Sequence, residues 1–164
     1  MTYLLEMEDV LCELTAEVAK AHEIPNSIST KGELLGISQK EIEIFLEKQP
    51  VDFWKSLKPT PELSEIREKL KNKKVKVVTR PYNLNTSQEG KKQWLAEHFP
   101  EADVLFTRSK HVFANSESSL IDCKPAAIQA FRRYGGKSVL IPKPWHKNYK
   151  PAAKIPDLEN DSTN

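Results

Sequence analysis

Cysteine is scarce in this chain: 164 residues contain only Cys12 and Cys123, with no metal-ligating or redox-motif spacing between them. A reduced, cytoplasmic setting is the simplest expectation. Long apolar runs are also missing, and nothing approaches the ~20 residues that a membrane helix needs. The start of the chain has neither a basic leader nor a long apolar stretch, so no signal peptide is expected. An excess of one charge is absent too. Twenty-five basic residues against 23 acidic ones leave a net charge of +2. That balance gives no field strong enough to argue for a nucleic-acid polymer or a membrane surface. The local cluster Lys69, Lys71, Lys73 and Lys74 reads as a solvated helix end. There is no internal repeat and no low-complexity domain.

What is present is ordinary for a soluble single domain: 38% hydrophobic and 29% charged residues. Short apolar segments alternate with amphipathic ones. Tyr3–Met7, Val75–Thr79, Asp103–Phe106, Ser119–Asp122 and Ser138–Ile141 are rich in Val, Leu and Ile, as strands buried on both faces are. Leu11, Leu14, Val18 and Ala21 form a stripe of helical period, predicting a helix over Leu11–His22. Ser38-Gln-Lys-Glu41 and Thr86-Ser-Gln-Glu89 are capping boxes. Thr60 before Pro61 opens another helix, and Pro125 starts one that Gly135-Gly136 ends. This alternation predicts an α/β fold, three layers α/β/α around a central parallel sheet.

One interval breaks the rhythm. Between the first strand and Val75 there are helices and no clear strand, more than one crossover needs. The surplus reads as a small helical cap inserted after the first strand and helix. The expected organisation is a core of residues 1–23 and 58–145, a cap over 24–57, and a polar tail over 146–164. Proline punctuates that tail, which is expected to wrap the surface and fray.

Ligands of open α/β sheets bind beyond the carboxyl ends of the strands. Here those ends are polar: Glu6-Met-Glu8-Asp9, Thr79-Arg80, Thr107-Arg-Ser-Lys110 and Asp122. Glu6 and Asp122 on neighbouring strands can share a hard divalent cation. Lys110 and the Thr79 hydroxyl can hold phosphate oxygens, with Arg80 beside them. Any one of these residues alone is more often a solvated loop group; their order along the chain is the stronger signal.

That order resembles the haloacid dehalogenase superfamily. Glu6-Met-Glu-Asp-Val-Leu11 is similar to its first motif, Asp-x-Asp-x-Val/Thr-Leu. Val77-Val-Thr79 resembles the second, Lys110 the third, and Leu120-Ile-Asp122-Cys123 the fourth, usually Leu-Ile-Asp-Asp. Within the superfamily the chain resembles the 5'(3')-deoxyribonucleotidase group. Phe53-Trp-x-x-Leu57, Thr60-Pro-Glu62, Val78-Thr-Arg-Pro81, Trp94-Leu-x-x-His-Phe-Pro100 and Leu120-Ile-Asp-x-x-Pro125 carry that likeness. The resemblance implies a magnesium-dependent phosphomonoesterase acting on a (deoxy)nucleoside monophosphate. Glu6 would be nucleophile and metal ligand, and Glu8 acid/base and metal ligand. Thr79, Arg80 and Lys110 would bind phosphate, Asp122 would bind magnesium, and Phe53 or Trp54 would stack on the base. A homodimer is compatible with the sequence.

The departures are specific. The resemblance places aspartates where Glu6 and Glu8 stand, an acid at Cys123, and a small residue at Asp9. Each glutamate moves its carboxylate by one methylene, and a misplacement of about 1 Å can cost ~10²-fold in rate. The alternative is therefore a catalytically impaired protein of this fold that binds a nucleotide, phosphate or a protein partner. Cys12 reads as core and Cys123 lacks an evident neighbouring base. His111 reads as a rim residue, and His22, His98 and His146 are too dispersed for a metal site.

Overall fold

The computed structural model describes residues 1–24, 37–146, 149 and 155–158. Five strands, β1 (Thr2–Leu5), β2 (Lys74–Thr79), β3 (Asp103–Phe106), β4 (Ser118–Asp122) and β5 (Lys137–Leu140), form one sheet. Its order is β3-β2-β1-β4-β5 and every pairing is parallel. The α/β expectation holds, and each expected strand is found, with ends shifted by a residue or two.

Side chains alternate across β1, β2 and β4. Tyr3, Leu5, Val77 and Ile121 enter the larger core, whereas Leu4, Val78 and Leu120 meet Phe131 on the opposite face. That two-sided burial is why these segments read as unbroken apolar runs. The helices are α1 (Leu14–Ala21), α2 (Gln39–Glu47), α3 (Val51–Lys55), α4 (Leu63–Lys69), α5 (Thr86–His98) and α6 (Pro125–Arg133). A 3₁₀ turn covers Lys110–Phe113. Among the described residues, no helix is long and apolar enough to cross a membrane.

Some boundaries differ for local reasons. The first helix begins at Leu14 instead of Leu11, because Asp9 takes the left-handed conformation, φ 60°, and turns the chain. Asp9 tolerates it and its carboxylate then accepts from the Thr15 N–H at 2.8 Å and the Thr15 hydroxyl at 2.6 Å. Ser38 and Glu41 form the expected capping box at α2. Thr86 does not form one: its hydroxyl donates to the Gln49 carbonyl at 2.8 Å, and Asn83 Oδ1 accepts the Asn85 and Thr86 N–H groups.

Within the interval expected as a cap, residues 25–36 lie outside the described residues; α2 and α3 are its described helices. The α3 helix packs directly on α5. A Cβ at Gly90 would sit 2.5 Å from Trp54 Cβ and 2.6 Å from the Val51 carbonyl oxygen, so only glycine permits this approach. In the tail, Ile155 and Leu158 are buried in the larger core; the other residues beyond 146, Tyr149 and 155–158 apart, lie outside the described residues, and with them the end expected to fray.

Candidate active site

The strand order reverses direction around β1, so the cleft opens where the connections from β1 and β4 diverge. Glu6 follows β1 directly, and its N–H donates to the Ile121 carbonyl at 2.9 Å, holding the turn against β4. Asp122 ends β4. The link from β3 to β4 carries Lys110 across this edge, and its ammonium bonds both Glu6 Oε2 and Asp122 Oδ2, the latter at 2.5 Å. Glu6, Lys110 and Asp122, distant in sequence, are thus brought together as expected.

The longer side chain of Glu6 curls back on its own loop. Its Oε1 accepts from the Met7 N–H at 2.8 Å and the Glu8 N–H at 3.2 Å. Burial alone would raise its pKa; the Lys110 ammonium, then Lys124, overcome that and hold it at about 2 against an ordinary 4.5. Asp122 moves the other way. Burial and the Glu6 charge push its pKa up against the pull of Lys110. The Lys110 pKa is raised, because its two carboxylates outweigh the burial that opposes its charge.

Glu8 is enclosed separately. Lys91 donates to Glu8 Oε1 at 2.6 Å, and both side chains are shut off from solvent. The Thr79 hydroxyl reaches the same oxygen at 3.4 Å, and the Tyr82 hydroxyl donates to Oε2 at 3.1 Å. Lys91 also donates to Thr79 Oγ1 at 3.1 Å and the Arg80 carbonyl at 2.7 Å. Its ammonium lies 4.8 Å from the Trp54 ring centre and 5.1 Å from that of Tyr82. Lys124 stands at the mouth with half its side chain exposed, 3.8 Å from Glu6 Oε2 and 3.6 Å from Glu8 Oε2. Beside it a cavity of about 170 Å³ runs between the site and α2. Glu8, Asp9, Thr15 and Lys124 line its polar side; Leu14, Val18, Ile42, Leu46, Tyr82 and Trp145 line its apolar side.

No protein-family model matches the chain, and no curated protein does. Solved structures do. A hydrolase from Pseudomonas syringae superposes with a TM-score of 0.50 at 15% identity, over 85% of this chain and 84% of that one. A haloacid dehalogenase-like family hydrolase from Xanthomonas campestris superposes with a TM-score of 0.56 at 11% identity, over 94% and 87%. The chain has the haloacid dehalogenase-like fold.

On that fold, several residues take positions different from those expected of them. Trp54 is fully buried, stacked on Tyr82 with ring centres 5.4 Å apart, so it has no free face for a base. Phe53, half-buried, packs edge-on between Phe45 and Trp54 against the core. Arg80 does not point at the cleft as a free phosphate donor: it bonds Glu43 Oε1 of α2 at 2.9 Å. Thr79 is buried, with its hydroxyl engaged by Glu8 and Lys91. The Lys110 ammonium lies between Glu6 and Asp122, the two carboxylates expected to share magnesium.

Lys91, Tyr82 and Lys124 were not legible as site residues from motifs. Lys91 did carry a signal: with Ser87, Gly90, Trp94 and Leu95 it falls on the inward stripe of α5, where a lysine needs a buried partner.

Proposed function

We propose that this chain binds a small phosphomonoester, of the nucleoside monophosphate class, on a hydrolase-type fold whose chemical step is suppressed. One observation carries the reading. Glu8, the residue expected to deliver a proton to a leaving group, accepts at both oxygens from Lys91, Thr79 and Tyr82. Lys91 holds Oε1 as an acceptor at 2.6 Å, and the Tyr82 hydroxyl closes off Oε2 at 3.1 Å. Among the described residues, Lys124 is the cation that lines the cavity, and a charged donor there suits the phosphate end of a ligand. The cavity is smaller than the ~300–1,000 Å³ of usual ligand pockets, which suits one end of a nucleotide resting against Tyr82 and Trp145. Two buried free thiols suit a reducing compartment such as the cytoplasm.

A hydrolytic reading is favoured by a different observation: Glu6 is held ionised at the end of β1 beside Lys110, on a fold shared with hydrolases. A calorimetric and phosphate-release screen over nucleoside monophosphates separates the two. The binding reading expects saturable heats that Lys124→Ala weakens at least tenfold, without phosphate release. Phosphate release that Glu6→Gln abolishes would establish hydrolysis instead. No binding and no release would remove both readings.

A further inference from the structure

The cluster at the ends of β1 and β4 contains three carboxylates, Glu6, Glu8 and Asp122, each nearly or fully closed to solvent. Three ammonium groups face them: Lys91, Lys110 and Lys124. We propose that the chain's own lysines neutralise this cluster and that it takes no divalent cation. An anion entering the cleft is then met by the Lys124 ammonium at its mouth and by no metal ion.

Each carboxylate oxygen already has its donor. Glu6 Oε1 accepts from the Met7 and Glu8 N–H groups, and Oε2 from Lys110. Glu8 Oε1 accepts from Lys91 and Oε2 from Tyr82. Asp122 Oδ1 accepts the Lys124 N–H at 2.9 Å, and Oδ2 accepts from Lys110. No carboxylate oxygen of the cluster is left without a donor. Magnesium demands near-octahedral oxygens at about 2.0–2.1 Å and keeps several waters. The oxygens it would share here already share Lys110, and an ammonium and a divalent ion cannot occupy one position. Among the described residues, no group of three His, Cys, Asp or Glu side chains is arranged to hold a metal.

Charge gives the same answer. Three carboxylates against three ammonium groups leave the cluster neutral, so a divalent cation would add two uncompensated charges in a buried setting, where net charge is costly. Asp9, the remaining nearby acid, is turned onto Thr15.

The test is manganese binding followed by electron paramagnetic resonance, with magnesium-dependent melting as a second readout. The wild-type protein is expected to leave all manganese free and to melt at the same temperature with magnesium or with chelator. Lys110→Met removes the cation shared by Glu6 and Asp122; that variant is expected to bind one manganese per chain and to melt higher when magnesium is added. If the variant folds only in the presence of metal, that rescue supports the same conclusion. One manganese bound by the wild-type chain and lost in Asp122→Asn overturns the proposal. So does a folded Lys110→Met variant that gains no metal binding.

Discussion

Lys91 Nζ lies 2.6 Å from Glu8 Oε1, with both side chains buried beneath the stacked rings of Trp54 and Tyr82. The pair joins α5 to the turn after β1, and so ties the candidate site to the helix that packs on α3. Removing one partner from a buried ion pair strands the other charge, which costs more than the pair itself contributes.

Lys91→Met is therefore expected to destabilise the fold by about 3–5 kcal/mol. The double change Lys91→Met with Glu8→Gln should recover a large part of that loss, because no charge is left alone. Urea denaturation of the four proteins in the cycle measures this. Additive losses would show that Lys91 and Glu8 are not coupled.

Acid should weaken the contribution of Glu6 in a defined window. Its folded pKa of about 2 lies below its ordinary 4.5, so its charge stabilises the native state above that ordinary value and the benefit fades as pH falls toward 2. Asp9 and Asp122 have raised pKa values and act in the opposite sense, favouring the folded chain on protonation. The difference in stability between Asp122→Asn and the double variant Glu6→Gln with Asp122→Asn isolates Glu6, because the Asp122 titration that the Glu6 charge shifts is then absent. It should shrink between pH 4.5 and about 2, read from urea midpoints. A difference that stays constant across that window would contradict the lowered pKa.

Gly90→Ala should destabilise by about 1–3 kcal/mol, as overpacking of a close contact does. The new Cβ would meet Trp54 Cβ and the Val51 carbonyl, neither of which is the far end of a flexible chain. Thermal melting compares it with Ala96→Gly, an exposed control on the same helix. That control should lose only about 1 kcal/mol through helix propensity.

Both thiols should be inert in the folded protein. Cys12 and Cys123 are buried, and burial pushes each thiol pKa well up, with neighbouring carboxylates adding to the effect. A thiol reagent at neutral pH should modify neither until denaturant is added, when both should react. Rapid labelling of Cys123 under native conditions would show that the cleft opens.

The alternation of Val-, Leu- and Ile-rich segments with helical stripes determined the parallel α/β sheet by itself, because strands buried on two faces must be apolar throughout. The same local chemistry placed the Ser38 box and the Pro125 start. It also marked Glu6, Lys110 and Asp122 as candidates, since polar residues after such strands gather on one edge. Local patterns erred where a side chain had a distant partner. Thr86 spends its hydroxyl on Gln49 of the preceding segment, and Ile155 and Leu158 leave a polar tail to enter the core.

What each acidic group can do was decided only by tertiary structure. Sequence spacing says that Glu8 stands near the strand end, but not that Lys91, 83 positions away, is buried against it. It names Trp54 as an aromatic in the helical interval, but not that Tyr82 and Lys91 cover its faces. Strand identity follows from periodicity within a few residues. The state of a carboxylate follows from charges that folding brings within about 4 Å, where Coulomb energies in a partly dry site outweigh any local preference.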